Sequence, residues 1–199
     1  MNRRDYLIKR GFDIIVSVLL LFLFGWVILL GFIAATISTR KNGFFLQKRV
    51  GENAKLFDVI KLRTMRDLPD VDTTVTTEHD RRITKVGAFL RKTKIDELPQ
   101  LINVLKGDMS LVGPRPDVPG YADKLEGEDR IILRVKPGIT GPASLKYKDE
   151  ETLLAQQKDP QKYNDEVIYP DKVKINKSYI QNYSFWKDLV YLYQTVAGK

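Results

Sequence analysis

Residues 14–37 read IIVSVLLLFLFGWVILLGFIAATI, a run of 24 residues without a charged side chain. As a helix at ~1.5 Å per residue this run is about 36 Å long, enough to cross the apolar core of a bilayer. Arg40 and Lys41 follow where a secretory signal would carry small residues for cleavage, so the run does not match a signal peptide. We therefore predict a membrane helix. The alternative is an unusually long buried core helix.

Both flanks of the apolar run are basic, and this bears on its orientation. The flanking cations are Arg3, Arg4, Lys9 and Arg10 before the run and Arg40, Lys41, Lys48 and Arg49 after it. Because the positive-inside rule then favours neither direction for a simple span, one solution is a re-entrant helix that is broken near its middle and enters and leaves on the same face. Gly25 and Gly31 could permit a bend near its middle. A spanning helix stays open as the alternative. The predicted organisation is a membrane anchor over residues 1–40 and a cytoplasmic domain over residues 41–199.

The composition excludes several classes of site. The chain has 199 residues, with 33 Lys and Arg against 25 Asp and Glu and a formal charge of +8. Such a basic chain favours anionic partners, namely phosphates, nucleic acid or acidic lipid. The absence of Cys excludes disulfides, a thiolate zinc site and a cysteine nucleophile. A single histidine, His79 in a polar loop, excludes a multi-histidine metal site.

After the apolar run the sequence changes to a mixed globular pattern. Residues 43–50 and 55–65 predict two strands around a turn at residues 51–54, and a polar loop covers residues 70–80. Amphipathic helical patterns follow, and the last one suits a membrane-surface helix or a core helix equally well. Its apolar stripe comprises Trp186, Leu189, Val190 and Tyr193. The predicted fold class is α+β: a hydrophobic re-entrant membrane helix plus a small cytoplasmic globular domain with a short β-hairpin and several amphipathic helices.

Two adjacent carboxylates, Asp96 and Glu97, begin a predicted helix just after a cluster of cations. The apolar stripe of that helix comprises Leu98, Leu101, Ile102 and Leu105. Asp96 is predicted as its N-cap and Gly107 as its C′ residue. A positive helix end with nearby cations keeps a carboxylate ionised and attracts phosphate. The alternative is an ordinary capping residue followed by a first-turn Glu.

Two rigid loops follow this helix. Pro114 and Pro116 fix the backbone around Arg115, whose guanidinium suits a phosphate and is presented at little ordering cost. In residues 135–142, two glycines permit close backbone approach to a ligand. Taken alone, each loop is better explained as a structural turn than as a ligand site.

Ordered motifs run through nearly the whole chain. They are KRGFD at residues 9–13, QKRVG at 47–51, KLRTM at 61–65, TKIDELPQ at 93–100, NVLKGDMS at 103–110, VGPRP at 112–116 and PGITG at 137–141, followed by Tyr179, Asn182, Ser184 and Asp188. Through these motifs the chain resembles the bacterial sugar transferases of the small monotopic phosphoglycosyl transferase family. The stretch over residues 96–116 is the most specific part of the match.

The resemblance implies an enzyme that begins the assembly of a bacterial glycan. Such enzymes move sugar 1-phosphate from a nucleotide sugar, usually a UDP-sugar, to a polyprenol phosphate and release UMP. The family's acidic pair corresponds to Asp96 and Glu97. By this resemblance, Asp96 attacks the β-phosphate and forms a covalent aspartyl sugar phosphate, which the polyprenol phosphate then attacks. Mg²⁺ is the implied cofactor, bound by Asp96 and the diphosphate, while Glu97 supports the metal and positions Asp96.

The resemblance also implies where the substrates and the protein lie. The candidates for binding the phosphates or the nucleotide are Arg91, Arg115, Pro114, Lys61, Arg63, Lys136 and Lys148. Arg91 and Arg115 match family positions associated with this role, and Lys148 stands where many relatives have an arginine. The implied location is the bacterial inner membrane, with the catalytic domain on its cytoplasmic face. Membrane lipid is a further partner, a homodimer is allowed, and no nucleic acid is expected.

The chain departs from the family pattern in two places. Gly25-Trp26 stands where the family commonly has Ser-Pro, a pair that helps to break the membrane helix. Residues 142–148 replace the family's Trp-Ala-Gln and Gly-Arg, so neither the sugar nor the glycan pathway is carried over. Two other functions stay open. One is a membrane-anchored module that binds nucleic acid or acidic lipid without turnover, and the other is a hydrolase that uses water as the acceptor.

Overall fold

The apolar run lies within one long helix, α1, over Arg3–Thr39. The Asn2 side chain caps its N-terminus by accepting the Asp5 backbone N–H, and the Asp5 carboxylate accepts the backbone N–H of Asn2 in return. α1 continues through Gly25 and Gly31 without interruption, so the break expected near its middle is not observed. Whether α1 is re-entrant in a membrane stays a prediction.

The computed structural model describes residues 1–67 and 80–198. The predicted polar loop, including His79, therefore lies almost entirely outside the described residues. Within the described part of the chain, α1 is the one helix long and apolar enough to cross a membrane.

The predicted β-hairpin is confirmed. β1 (Phe44–Val50) and β2 (Leu56–Leu62) pair antiparallel along their full lengths, and the connection is a short 3₁₀ turn at Glu52–Ala54. The second strand ends three residues earlier than predicted. Beyond it, Met65 makes an isolated antiparallel bridge with Ile83 instead of continuing the hairpin.

Most of the remaining chain is helical. The helices are α2 (Lys85–Lys92), α3 (Gln100–Lys106), α4 (Pro142–Lys146), α5 (Glu150–Ala155), α6 (Pro160–Tyr163), α7 (Tyr169–Gln181) and α8 (Phe185–Ala197). Short 3₁₀ helices cover Ile95–Glu97, Ala122–Lys124 and Gly127–Arg134, and a π-helical turn at Asn164–Ile168 joins α6 to α7. A parallel pair, β3 (Ser110–Val112) with β4 (Gly138–Thr140), completes a fold that confirms the predicted α+β class.

One face of α1 lies against the globular part of the protein along most of its length. The buried residues on this face are Lys9, Asp13, Ser17, Ile28, Gly31, Ala35 and Thr39. Their spacing by whole helical turns places them on a single stripe. A Cβ at Gly31 would lie 2.6 Å from Leu62 Cδ1, so this glycine allows β2 to pack closely against the helix.

The opposite face of α1 is apolar and exposed. It comprises Ile15, Val18, Leu19, Phe22, Leu23, Trp26, Leu29, Leu30, Ile33 and Ile37. In α8, Trp186, Val190 and Tyr193 are exposed as well, so most of the predicted apolar stripe of this helix lies outside the core. Apolar faces of this extent are typical of surfaces that meet a membrane or another protein.

α3 is the helix that fixes the hairpin to the rest of the protein. Leu101 and Val104 are buried in the main core together with residues from β1, β2, β3 and α7. Asn103 is fully buried and pairs with the backbone of β2: Oδ1 accepts the Ile60 N–H over 3.0 Å, and Nδ2 donates to the Asp58 carbonyl over 2.8 Å. The predicted apolar stripe of this helix is therefore only partly correct, because the buried face of α3 also carries the amide side chain of Asn103.

The two predicted rigid loops pack on each other. A Cβ at Gly138 would lie 2.1 Å from the Gly113 nitrogen, and one at Gly141 would lie 2.3 Å from the Gly113 carbonyl oxygen. The Pro114 carbonyl also accepts the Gly138 N–H over 2.8 Å. The expectation that Gly138 and Gly141 admit a ligand is thus wrong, since the space above them is filled by the backbone of the other loop.

Candidate active site

The two adjacent carboxylates lie in the 3₁₀ turn Ile95–Glu97, between α2 and α3. Lys94, with φ of 57°, redirects the chain after α2, and α3 begins only after Pro99. The prediction of Asp96 as the N-cap is therefore wrong: Pro99 occupies that position, and no side chain caps the helix. The short turn instead leaves both carboxylates beside the end of β2.

Glu97 is held by two cations from different elements. Lys61 Nζ on β2 donates to Glu97 Oε1 over 3.0 Å, and Arg115 Nη2 donates to the same oxygen over 2.6 Å. Burial alone would raise the pKa of Glu97, but the charges of Arg115 and Lys61 and their hydrogen bonds hold that pKa well below its usual value. The charge of Glu97 in turn raises the pKa of Arg115. Glu97 is thus an ionised group that joins the hairpin to the loop after β3.

Asp96 differs from Glu97 in its hydrogen bonding and in its pKa. Its side chain is buried, and Oδ1 accepts no hydrogen bond from any residue that the structure describes. Burial, with the charge of Glu97, raises the pKa of Asp96 to about 6, against opposing charges that include Lys61 and Arg91. A buried acceptor without a donor is unfavourable for folding, which suggests that this oxygen has a functional partner.

The two carboxylates therefore differ in both engagement and pKa. Where the pKa values of two neighbouring titratable groups differ in this way, the two groups usually have separate chemical roles. Glu97, bound by two cations, is suited to positioning. Asp96 is ionised above a pH of about 6 and retains an unengaged oxygen, so it is the better nucleophile or metal ligand.

Arg91, at the end of α2, is the third predicted cation near the acidic pair. Its positive charge lowers the pKa of Asp96, and its guanidinium forms an ion pair with Glu151 on α5. The adjacent Glu150 accepts hydrogen bonds from Lys172 of α7 over 2.6 and 2.7 Å. α5 therefore places two carboxylates beside cations of the site. Sequence reasoning missed this arrangement, because no motif or periodicity links α5 or α7 to the acidic pair.

The loop around Pro114 and Arg115 is fixed to the end of β1. Arg49 Nη1 donates to the Pro116 carbonyl over 3.1 Å, and the Val50 N–H donates to the Asp117 carbonyl over 2.9 Å. Burial, together with the like charge of Arg115, lowers the pKa of Arg49 to about 10. Arg49 lies in the QKRVG motif, which is the signal that could have identified it as part of the site.

Three of the predicted phosphate-binding residues lie elsewhere. Arg63 donates to a backbone carbonyl before β1 and lies 5.2 Å from the centre of the Phe45 ring. Lys136 donates to the Gly107 carbonyl at the end of α3. Lys148 donates to the Gly198 carbonyl over 3.2 Å, at the far end of α8. Lys61 and Arg115 thus contact Glu97, with Pro114 next to Arg115 in the chain, and the charge of Arg91 acts on Asp96. Among the described residues, no hydrogen bond or ion pair joins Arg63, Lys136 or Lys148 to either carboxylate.

Magnesium fits this site only as an ion shared with a substrate. Among the described residues there is no group of three or more side chains that could hold a metal ion. Mg²⁺ commonly takes one or two protein carboxylates and completes its octahedron with substrate phosphates and water. Asp96 Oδ1, a buried oxygen without a partner, meets that requirement, whereas Glu97 Oε1 is already occupied by two cations.

Two cavities lie near these elements. The first lies between the N-terminal part of α1, β3 and α7 and includes Lys9, Asp13 and Lys136 in its lining, but neither carboxylate of the acidic pair. The second is lined in part by Arg115 and likewise by neither carboxylate. The side chain of Arg115, which also contacts Glu97, links the second cavity to the acidic pair.

Comparison with known proteins shows the family of the chain. The family model described as bacterial sugar transferase matches residues 4–198. The exopolysaccharide production protein ExoY of Rhizobium meliloti is 31% identical over 96% of this chain and 84% of its own length. The UDP-glucose:undecaprenyl-phosphate glucose-1-phosphate transferase of Caulobacter vibrioides is 36% identical, over 96% of this chain and 68% of its own.

Other relatives are longer proteins. The undecaprenyl-phosphate glucose phosphotransferase of Komagataeibacter xylinus is 36% identical over 98% of this chain, but the chain spans only 36% of the length of that relative. The part of this chain that the family model matches, residues 4–198, includes the acidic pair and the cations that hold Glu97. The chain belongs to the bacterial sugar transferase family.

Proposed function

We propose that the protein transfers sugar 1-phosphate from a UDP-sugar to a polyprenol phosphate, such as undecaprenyl phosphate, and releases UMP. The contrast between the two adjacent acids is the observation that carries the proposal: Glu97 is bound by two cations, and Asp96 keeps a buried oxygen free. The names of two relatives, which specify UDP-glucose or undecaprenyl phosphate, support the choice of substrates.

The first step forms a covalent intermediate on Asp96. A carboxylate oxygen of Asp96 attacks the β-phosphorus of the donor. The bond from that phosphorus to the oxygen bridging the two phosphates breaks, and UMP leaves with the bridging oxygen. The sugar phosphate then remains on Asp96 as an acyl phosphate.

The second step transfers the group to lipid. An oxygen of the polyprenol phosphate attacks the same phosphorus, and the bond to Asp96 breaks, which regenerates the carboxylate. Dividing the reaction in this way lets a water-soluble donor and a membrane-bound acceptor use one nucleophile in turn. Glu97 does not react; by holding Lys61 and Arg115, it positions two cations beside Asp96.

The cations of the site suit a diphosphate. Arg115 presents a planar guanidinium that matches phosphate oxygens, and Arg91 lies close enough to Asp96 to lower its pKa. Asp96 would hold Mg²⁺ together with the donor, and the ion would supply neutralisation of the charge that develops on the leaving phosphate. Water-poor surroundings, indicated by the burial of Asp96, strengthen each of these interactions.

We also propose that both ends of α1 face the cytoplasm. Near its start, Lys9 Nζ contacts Asp188 of α8 over 2.5 Å; further along, Gly31 packs on Leu62 of β2. A helix of 37 residues is about 55 Å long, against a bilayer core of about 30 Å. Because both parts of α1 contact the same globular body, a perpendicular crossing would carry that body into lipid. The apolar face with Phe22 and Trp26 would instead meet the lipid from one side.

A screen of UDP-sugars for UMP release tests the proposal. Purified protein in detergent is assayed with each UDP-sugar, with and without polyprenol phosphate. Release that requires the lipid supports transfer, whereas equal release without lipid identifies a hydrolase. If no nucleotide sugar gives release, and the protein instead binds nucleic acid or acidic vesicles with steep salt dependence, it is a binding module and the proposal is wrong.

A further inference from the structure

A buried glutamine lies about one helical turn after the candidate nucleophile. Gln100 is the first residue of α3, and Leu98 and Pro99, which join α3 to the 3₁₀ turn of the acidic pair, both have right-handed helical backbone angles. Asp96 and Gln100 are therefore about one turn apart in a continuous helical segment. Gln100 is 3% exposed and Asp96 is 6% exposed, so both side chains are shielded from solvent.

Asn103 lies one further turn along the same segment. Positions 96, 100 and 103 are spaced by four and three residues, which is the spacing of side chains on one side of a helix. All three residues are polar and buried. The Asn103 amide is engaged by the backbone of β2, since it accepts the Ile60 N–H and donates to the Asp58 carbonyl. Gln100 therefore lies between an amide that has its partners and a carboxylate that lacks one.

Two buried hydrogen-bonding groups of opposite kind are left on this side of the segment. Among the residues that the structure describes, Nε2 of Gln100 has no acceptor and Oδ1 of Asp96 has no donor. The two atoms are therefore not bonded to each other, although an amide N–H and a carboxylate oxygen are complementary. A buried polar group without a partner is unfavourable for folding, and here two such groups occur within one turn. A ligand that accepts from Gln100 while it meets Asp96 accounts for both.

A phosphoryl group satisfies both residues. Its ionised non-bridging oxygens accept hydrogen bonds, as the Gln100 amide requires, and its phosphorus is the atom that the Asp96 carboxylate attacks. We propose that Gln100 is a further catalytic residue, whose Nε2 donates a hydrogen bond to a non-bridging oxygen of the β-phosphate as Asp96 attacks, and to the same phosphoryl group once it is attached to Asp96. This inference rests on the proposed function, because it takes that phosphate to be the group transferred.

A neutral donor has an advantage at this position. Glu97 shows the effect of cations, since Lys61 and Arg115 both bond to one of its oxygens. A lysine or arginine in place of Gln100 would pair with Asp96 in the same way and occupy the oxygen that must attack. The amide carries no charge to compete for Asp96, and in buried surroundings its hydrogen bond to an anionic phosphate is strong.

The rate at which the labelled protein adduct forms measures the contribution of Gln100. The donor is the UDP-sugar that gives lipid-dependent UMP release in the screen, labelled in the sugar, and no acceptor lipid is added. Gln100→Met keeps the length and helix propensity of the side chain but loses the N–H donor. Its rate should fall about ten- to a hundredfold, as expected for the loss of a hydrogen bond to a charged group. Gln181→Met, at an exposed position at the end of α7, is the matched control and should keep the wild-type rate.

Donors with sulfur in place of a non-bridging β-phosphate oxygen distinguish direct contact from structural support. Such a donor has two diastereomers, and sulfur accepts hydrogen bonds more weakly than oxygen. If Gln100 donates to one of these oxygens, the rate loss in Gln100→Met should be smaller with the diastereomer that carries sulfur at that position than with the natural donor. A structural defect would instead slow the natural donor and both diastereomers by the same factor.

A wild-type rate in Gln100→Met, or an equal loss with all three donors, would overturn this inference and leave the proposed transfer intact. The thermal midpoint identifies a variant that has not folded, in which case Gln100→Ala, which also removes the donor, replaces it in the same comparison. If wild type releases UMP with lipid but forms no adduct, the covalent step and this inference fail together. If no UDP-sugar gives lipid-dependent UMP release, the proposed function fails, and this inference fails with it.

Discussion

Arg115 Nη2 donates to Glu97 Oε1 over 2.6 Å, although the two residues are 18 positions apart in sequence. Lys61 reaches the same oxygen, so one carboxylate joins β2 to the loop after β3. This contact distinguishes the two acids: both cations converge on Glu97, whereas Asp96 keeps a buried oxygen without a donor, and burial together with the charge of Glu97 raises the pKa of Asp96. The predictions below start from that difference.

Arg115→Lys should reduce kcat/KM about tenfold or more, since lysine keeps the charge but loses the planar fork that can contact Glu97 and a phosphate together. Steady-state kinetics with a UDP-sugar and polyprenol phosphate measure the loss. Arg130→Lys is the control, because Arg130 is exposed and, among the described residues, its guanidinium hydrogen-bonds nearby backbone carbonyls alone. Full activity of the Arg115→Lys protein would show that catalysis does not need the planar guanidinium.

Asp96→Asn should abolish turnover, because an amide is a poor nucleophile. Wild type incubated with a UDP-sugar labelled in the sugar, without acceptor lipid, should retain label on the protein, and peptide mapping should place it on Asp96. Glu97→Gln should lower the rate by orders of magnitude, because Lys61 and Arg115 lose their anionic partner. Label found on Glu97 would reverse the two roles, and substantial turnover by Asp96→Asn would exclude the covalent mechanism.

Activity should depend on pH through Asp96. Its pKa is raised to about 6, so kcat/KM should fall as the pH drops through this value and the nucleophile becomes protonated. Asp96→Glu, if it retains activity, should shift the midpoint of this profile, whereas Asp129→Asn, a control that removes a carboxylate from a surface pair with Lys177, should not. A profile that is flat between pH 5 and pH 8 would contradict the assignment of Asp96 as the group that must be ionised.

The raised pKa of Asp96 also predicts that ionisation of this residue, which favours activity, lowers the stability of the folded protein. The folded-state pKa of about 6 lies above the ordinary aspartate pKa of 3.8, so ionisation disfavours the folded state. The penalty is absent below pH of about 4, grows between the two values and is complete above pH of about 6, where it amounts to roughly 3 kcal/mol. Asp96→Asn should therefore melt higher than wild type at pH 8 and nearly equally at pH 4. A lower melting point for the variant at pH 8 would contradict the raised pKa.

The sequence identified the acidic pair because its motif is local. Asp96, Glu97 and Arg115 lie within 20 consecutive positions, so local spacing and proline placement made them candidates, and the resemblance of the motifs to a family then favoured a functional explanation over a structural one. Lys172 and Glu150 could not be found in this way, because α5 and α7 reach the site only through tertiary packing. The N-cap prediction for Asp96 was wrong for a related reason: a 3₁₀ turn followed by Pro99 delays the helix.

The apolar run also shows what could not be predicted from the sequence alone. Its composition predicted a membrane helix, and the exposed face agrees with that prediction. Composition could not show that Asp13 accepts the Leu111 N–H over 3.1 Å, or that Gly31 packs on β2. α1 is therefore also a structural helix of the globular part, a property that depends on which residues share a face and not on mean hydropathy.

Cysteine labelling tests the topology of α1. The native chain has no cysteine, so single substitutions report cleanly. Arg4→Cys lies at the start of α1, Lys55→Cys lies in the hairpin after it, and Lys158→Cys marks the globular part. All three positions are exposed, and their substitution should leave activity intact. In intact cells, a membrane-impermeant maleimide should label none of them, and after the cells are opened it should label all three.

The contacts of α1 make this outcome specific. Lys9 and Gly31 touch elements of one globular body, so a spanning arrangement would have to break one of these contacts and expose buried partners such as Asp188. Labelling of Arg4→Cys in intact cells, with Lys158→Cys protected, would establish such a spanning helix and overturn the proposed topology. The acidic pair would still face the cytoplasm in that case, because it lies with Lys158 beyond the end of α1. The consequence would be a separated N-terminal segment and a buried Asp188 without its cationic partner Lys9.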